Sequence, residues 1–475
     1  MPPDHMPAPD AAELEFADLI PLAERVAARI ARGAVASRIA PATLRKRIAE
    51  RLDLAEAHEP ADVLREIEDL LRRFAVQVTH PRYFGLFNPP VLPETVAAVA
   101  LAAAYNPQEA VWSHSPAAVE LEQHALRAMA TLIGFDPEAS AAHFTSGGQE
   151  ANLSAVVTGL AHAFPNWRDQ GLRALPAAPV LYVAGEGHHS FVKAARVCGL
   201  GDAAVRWVTV DSRLRMDVAA LGRAIADDRA AGLAPFLVVG TAGTTAAGAI
   251  DPLPAIADVC ARERLWLHCD AAWGGGALLS PTLRAHLDGI ARADSVTWDA
   301  HKWMCAPMGS GAFFCRHPAT LTRAFDVASD YMPPSRPGAD DPHRVSLQWT
   351  RRAIGIPVLT ALAVRGVSGY AALVEHQAKM ADRLRVLLTE AGYRIVNDTP
   401  LPVVCFTHPR LDNGAVEAGD VCRAIADSGS AWISPVSLGR PARALRACIT
   451  SPATQESDLR ALIDVTTDSL AERSR

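Results

Sequence analysis

The chain has 475 residues, of which 50% are hydrophobic and 21% charged, with a net charge of −6 at neutral pH. This is ample apolar content for a large core, and the mild acidity, with no basic tail or lysine block, excludes a general nucleic-acid binder or an anionic-membrane binder. Eight cysteines without a C-x-x-C pair read as reduced thiols, and no basic stretch followed by an apolar core opens the chain, so a cytoplasmic location is expected.

The first ten residues are rich in proline. Residues 11–55 and 61–78 then place apolar side chains at helical spacing; in the second segment these are Val63, Leu64, Ile67, Leu70, Leu71 and Phe74. They predict an N-terminal helical arm whose apolar face needs a partner surface, most simply a second copy of the chain. The alanine-rich stretch Val96–Tyr105 is about half of what spans a bilayer, and no membrane association is expected.

Short apolar runs follow at 180–184, 205–210, 236–240, 265–269, 295–298 and 311–315, separated by helical segments. This alternation predicts an α/β fold with a mostly parallel sheet covered on both faces. Ligands of such sheets sit beyond the carboxyl ends of the strands. Tyr331–Arg344 is proline-rich and predicts a loop. Beyond it, 357–392 reads as a long helix interrupted by glycine. Short strands near 393–397, 402–407 and 443–449 and a last helix after Pro452 complete a smaller α/β domain. The expected domains are an N-terminal helical dimerisation segment (1–85), a large domain (86–345) and a small C-terminal domain (346–475).

Three local patterns carry chemistry. Only four lysines accompany 42 arginines, and one of them, Lys302, follows a predicted strand in Trp298-Asp299-Ala300-His301-Lys302-Trp303. A lysine can lose a proton and attack a carbonyl, which a guanidinium cannot. Asp270 ends the apolar run Leu265–Cys269, where an aspartate is otherwise an ordinary turn or cap residue. Thr145-Ser146-Gly147-Gly148-Gln149 precedes a helical pattern, and its glycines allow backbone N–H groups to meet an anion at a helix N-terminus. A phosphate seat, a carboxylate for a ring nitrogen and an amine for an aldehyde together are what pyridoxal phosphate requires.

With His80-Pro81-Arg82-Tyr83-Phe84-Gly85, Ser115-Pro116, Glu120-Leu121-Glu122, Tyr182 to His188, Gly243-Thr244-Thr245, Asp270-Ala271-Ala272 and His301-Lys302-Trp303, the chain resembles the group II pyridoxal-phosphate-dependent amino-acid decarboxylases. The resemblance covers most of residues 80–320. It implies the transferase fold of type I with a seven-stranded sheet, and a homodimer with its active site near the interface. It also implies a lyase of amino-acid metabolism acting through a Schiff base on Lys302, with Asp270 on the ring nitrogen and His188 stacked on the ring. His189 is a rival for that last role. Gly147, Gly148, Gln149 and His301 become phosphate candidates, with Thr245 and Ala272 beside the ring; Asp299 stands where relatives have Asn or Asp. No metal is expected.

Leu86, Phe87, Asn88 and Trp112 fall where relatives line the substrate pocket, and their character favours an aromatic or hydrophobic amino acid. Arg82 keeps an acidic substrate open. The expected products are the amine and carbon dioxide. Many relatives carry a tyrosine on the loop after the lysine motif, whereas Met332–Arg344 has none. Tyr331 and His343 are the proton donors suggested by position. The departure leaves open another outcome: aldehyde-forming oxidative decarboxylation, aldol-type cleavage or amino transfer.

Overall fold

A computed structural model describes residues 15–333, 336–438 and 442–472. The first fourteen residues, with the proline-rich start and the first part of the 11–55 segment, lie outside the described residues, as does Pro334 of the loop. Seven strands form the main sheet: β1 (Ala141–Thr145), β2 (Pro179–Ala184), β3 (Val205–Val208), β4 (Ala234–Thr241), β5 (Trp266–Asp270), β6 (Ser295–Asp299) and β7 (Gly311–Cys315), in the order β1-β7-β6-β5-β4-β2-β3. β7 alone runs antiparallel to its two neighbours, and the pairs β2–β3, β2–β4, β4–β5 and β5–β6 are parallel. The six predicted strands are all present. β1 was not anticipated, because its sequence Ala-Ala-His-Phe-Thr shows neither alternation nor a long β-branched run.

Every residue of β2, β5, β6 and β7 is buried, as expected for strands covered on both faces. One core lies against Met129, Phe144, Trp298 and Tyr370, and the opposite face packs Val156, Leu160, Phe191 and Trp266. A second, antiparallel sheet of β8 (Arg394–Ile395), β9 (Val403–Thr407), β10 (Ser434–Leu438) and β11 (Ala442–Cys448) has the order β10-β11-β9-β8. Its core also holds Phe84, whose N–H donates to Trp432 O and whose carbonyl accepts from Cys448 N, so residues near the end of the predicted N-terminal segment are built into the small domain.

Helices Pro41–Arg51, Pro60–Phe74, Pro93–Tyr105 and Pro116–Ile133 all open on proline, whose fixed φ suits the first helical position. The helices Leu19–Ile30, Pro41–Arg51 and Pro60–Phe74 bury none of their residues within this chain. Helix Gly355–Glu390 is long and apolar enough to cross a bilayer by composition. It is broken at Gly366 (φ 60°, ψ 177°), a conformation that favours glycine. Its second half buries Tyr370, Val374, Gln377 and Leu384 against the protein interior.

A charged triad ties the segment before this helix to helix Pro116–Ile133. Arg351 is buried, with Nη1 2.7 Å from Glu122 Oε2 and Nη2 bonded to Glu122 Oε1, while Glu109 Oε2 lies 3.6 Å from Nη1. Burial, then the Glu122 charge, pushes the Glu109 carboxyl up to about 9 against the opposing pull of Arg351. One arginine therefore serves one carboxylate and one protonated acid. Arg351→Ala is expected to cost about 3–5 kcal/mol by leaving Glu122 buried without its partner, read as a lower urea midpoint. Because the folded state raises the Glu109 pKa, its burial costs stability as pH rises from about 4.5 towards 9. Glu109→Gln should therefore flatten the loss of stability over that window, and an unchanged slope would contradict the assignment.

Candidate active site

The site forms where β5 and β6 end beside the start of helix Gly148–Ala163. Asp270 is the last residue of β5, and Lys302 lies three residues beyond the end of β6. Gly147, with φ 152° and ψ 177°, turns the chain from β1 into the helix. Parallel strands point their carboxyl ends the same way, so residues far apart in sequence meet here. A cavity of about 260 Å³ is lined by Gly147, Gly148, Gln149, His188, Thr245, Asp270, Ala272, His301 and Lys302, together with Asn152, Thr241, Gly243, Trp273 and Asp299. All nine candidates for catalysis and cofactor binding thus face one space.

Asp270 is held rigidly. Its Oδ2 accepts from Asn152 Nδ2 at 2.9 Å and its Oδ1 from the Ala272 N–H at 3.1 Å. The amide of Asn152 is oriented in turn, since its Oδ1 accepts from Thr297 Oγ1 at 2.8 Å and contacts His268 Nε2 at 3.2 Å. Burial holds His268 down to about 4, so the ring is neutral; with Nε2 protonated it donates to that oxygen. Sequence reading missed Asn152. Its position one helical turn after the glycines, on the same face as the phosphate seat, was the available signal.

His188 lines the cavity, whereas His189 packs against Trp207 at 5.3 Å between ring centres, which separates the two neighbours. The Ser190 N–H donates to His188 Nδ1 at 3.2 Å, so in the neutral ring the proton sits on Nε2. Partial burial lowers the His188 pKa; Asp270 raises it and Lys302 lowers it further. His301 is lowered chiefly by burial, with Asp299 opposing, and its Nδ1 has no hydrogen-bond partner among the described residues. Lys302 Nζ lies 3.0 Å from Asp299 Oδ2.

None of the four expected substrate-pocket residues is among those that line this cavity. Leu86 is 51% exposed, and Asn88 Oδ1 accepts from Tyr83 Oη at 2.6 Å. Trp112 lies under the Arg336 guanidinium and donates its indole N–H to Glu120. Phe87 comes nearest, stacked on Trp273 at 4.0 Å, with Arg446 over its ring at 4.7 Å. Its surface is therefore committed to protein neighbours. Arg446 was also missed. It is 3% exposed, its Nη1 donates to Gly85 O at 2.7 Å, and its Nε and Nη2 have no partner among the described residues.

The suggested proton donors are also displaced from the cavity. The His343 ring is buried, bonded through Nδ1 to Ala110 O at 3.0 Å and packed on Trp349, and Tyr331 is 79% exposed. Arg82 is paired with Asp458 at 3.0 Å.

The donor set fits pyridoxal phosphate: a free amine, a fixed carboxylate, a neutral imidazole and bare backbone at a helix N-terminus with an unpartnered histidine nitrogen beside it. These features define a protein built around that cofactor. Residues 41–408 match the pyridoxal-dependent decarboxylase conserved domain, and the chain belongs to this family. It is 39% identical to cysteine sulfinic acid decarboxylase of Rattus norvegicus over 250 residues, 53% of this chain and 50% of that protein. It is 27% identical to aromatic-L-amino-acid decarboxylase of Bacillus atrophaeus over 425 residues, 88% of this chain and 86% of that one. The crystal structure of mouse CSAD superposes with a TM-score of 0.87 at 27% identity, covering 96% of this chain and 98% of the other. The matched region is about half the length of the first of these relatives.

Asn152→Ala should loosen Asp270 while leaving the phosphate seat and Lys302 in place. Losing a bond to a charged group costs about 1.5–3 kcal/mol, so cofactor affinity, read by fluorescence titration, should fall roughly ten- to hundredfold. Unchanged affinity would show that Ala272 N–H alone positions the carboxylate.

Proposed function

We propose that this protein decarboxylates an L-amino acid to the amine and carbon dioxide with pyridoxal phosphate as cofactor. The observation that carries this reading is the single cavity in which Lys302, Asp270, His188 and the 147–149 turn converge. When bound, the cofactor supplies a protonated ring that accepts the electrons released at the substrate's Cα. Asp270, fixed on two sides, keeps the proton on the ring nitrogen. Lys302 would supply the amine that holds the cofactor's aldehyde. Gly147, Gly148, Gln149 and His301 would hold the phosphate, with Thr245 and Ala272 available to the ring.

The carbon left by carbon dioxide needs a proton, and the cavity offers His188 Nε2 and Lys302 Nζ for it. Both are closer to the chemistry than Tyr331 or His343. For the side chain, the buried cation of Arg446, one aromatic ring removed from the cavity wall at Trp273, favours an acidic group such as a carboxylate or sulfinate. The likeness to a cysteine sulfinic acid decarboxylase supports the same choice. We favour it over the aromatic expectation, of whose residues Leu86 is exposed while Phe87, Asn88 and Trp112 are engaged with other side chains.

The active form is proposed to be a homodimer. Leu64, Leu71, Tyr105, Val364 and Val367 are each about three-fifths or more exposed, an extent of apolar surface that a second copy would cover. Val364→Glu with Val367→Glu should shift the sedimentation coefficient to that of a monomer and abolish activity; an active monomer would refute the arrangement.

Assay of the proteinogenic amino acids and cysteine sulfinate, scoring carbon dioxide, amine, aldehyde and peroxide together, tests the reaction. Amine without peroxide is expected, whereas aldehyde with peroxide would select the oxidative outcome. Lys302→Ala should abolish turnover, and borohydride should attach the cofactor to the peptide containing Lys302 alone. Arg446→Met should raise KM for an acidic substrate by roughly tenfold, corresponding to about 1.4 kcal/mol for a charge that acts across an intervening ring rather than by direct contact. An equal loss for acidic and aromatic substrates would remove Arg446 from side-chain selection.

A further inference from the structure

Asp299 closes β6, and no step above uses its carboxylate. The side chain is 2% exposed, with Oδ2 3.0 Å from Lys302 Nζ and 3.7 Å from His301 Nε2. Its Oδ1 has no hydrogen-bond partner among the described residues. The carboxylate presses on the phosphate seat itself: a Cβ at Gly148 would lie 2.8 Å from Oδ2, and one at Gly311 would lie 2.7 Å from Oδ1 and 2.6 Å from Gly147 Cα. A buried anion therefore stands against the backbone that would receive a second anion.

The groups around it define its charge balance. Lys302 and His301 face it from its own turn, and His188, from the turn after β2, lies within electrostatic reach of both Asp299 and Lys302. Asp270 from β5 acts on His188 from the other side. From the helix start and β7, glycine backbone at Gly148 and Gly311 lies against it, with the neutral Gln149 in the same cavity. Burial disfavours the charged form of His301. Among the described residues, Lys302 is thus the one full positive charge in contact with Asp299. When a phosphate ester takes the seat, two anions share that single cation, and like charges in one dry site favour protonation of one of them.

We propose that Asp299 is a positioning residue that holds Lys302 in the cofactor-free protein, and that capture of the phosphate ester is coupled to uptake of one proton by Asp299. The protonated carboxyl then donates a hydrogen bond towards the ester instead of repelling it, and Lys302 is released from its ion pair to meet the aldehyde. The balance is one ester dianion and one proton taken from solution, with no covalent bond made or broken. The inference rests on the cofactor and not on the choice of substrate or product.

Benzyl phosphate, a phosphate monoester with neither an aldehyde nor a titratable ring nitrogen, isolates this step from proton uptake at Asp270. Its binding to the full-length chain freed of cofactor is measured by calorimetry between pH 7.5 and 9, in buffers of different ionisation enthalpy. The free phosphate, with a second pKa of about 6, is a dianion throughout. The expected result is uptake of about one proton and roughly tenfold weaker binding per pH unit. In Asp299→Asn both effects should vanish, with binding at pH 9 tighter than in the native protein. His301→Gln should retain the uptake. The ³¹P shift of the bound ester should stay that of a dianion; a monoanion shift would move the proton to the ligand and overturn the assignment. Absence of uptake in the native protein, or its persistence in folded Asp299→Asn, would also overturn it.

Discussion

A Cβ at Gly148 would fall 3.3 Å from the Ala272 methyl and 2.8 Å from Asp299 Oδ2, and one at Gly147 would touch the His301 ring at 3.4 Å. Three strand ends can converge on the start of helix Gly148–Ala163 only because that start carries no side chains. The same bareness exposes backbone N–H groups to an incoming anion. The spacing between phosphate seat, ring carboxylate and amine is set by this contact, and the order of strands β5 and β6 in the sheet follows from the need to deliver Asp270 and Lys302 to it. A larger side chain at either glycine would push the carboxylate and the amine apart while leaving each of them chemically intact.

The polar interior around this contact is organised so that charges are either paired or neutral. Asn152 links Asp270 to Ser190, Thr297 and His268, which ties helix Gly148–Ala163 to β5, β6 and the turn after β2. Ser146 donates to Glu150, which also accepts from Gln348, so the glycine turn is braced from the segment that carries Arg351. That segment is locked to helix Pro116–Ile133 by the Arg351–Glu122 pair. Rigidity at the seat thus extends outward through hydrogen bonds that each bridge different elements, which is how a site assembled from distant segments keeps its geometry.

Most of the sheet and the cavity lining could be read from the chain because both depend on local patterns. Apolar runs between turn residues located six strands, and Gly-Gly before a helical run, Asp after a strand and Lys after a strand located the chemistry. What could not be read was long-range pairing. β1 joins the sheet by pairing with β7, some 170 residues away, and its own composition is undistinguished. β10 likewise has no run of its own strong enough to mark it, and pairs with β11. Asn152 matters because three other elements present partners to it. The substrate-pocket residues show a related limit: Phe87 and Trp112 are apolar in sequence, but Arg446, Arg336 and Glu120 contact them in space. Apolar character at a position indicates burial or contact without saying with what.

The segment after Tyr331 shows how attachment limits what a loop can do. Asp341 accepts from the Trp112 N–H at 2.9 Å, His343 is bonded to Ala110 O through both its backbone and its ring, and Arg344 pairs with Asp326 at 3.0 Å. These anchors fix residues 341–344 to the large domain on one side, while Tyr331 projects into solvent at the other end. Any closing movement that kept the anchors would be confined to the residues before Asp341, and one that carried His343 towards the cavity would have to break three separate connections. Delivery of a proton by His343 therefore costs more reorganisation than delivery by His188, which already lines the cavity. With His188 in the cavity wall as the proposed acid, a tyrosine on the loop is not required, and its absence is compatible with amine formation.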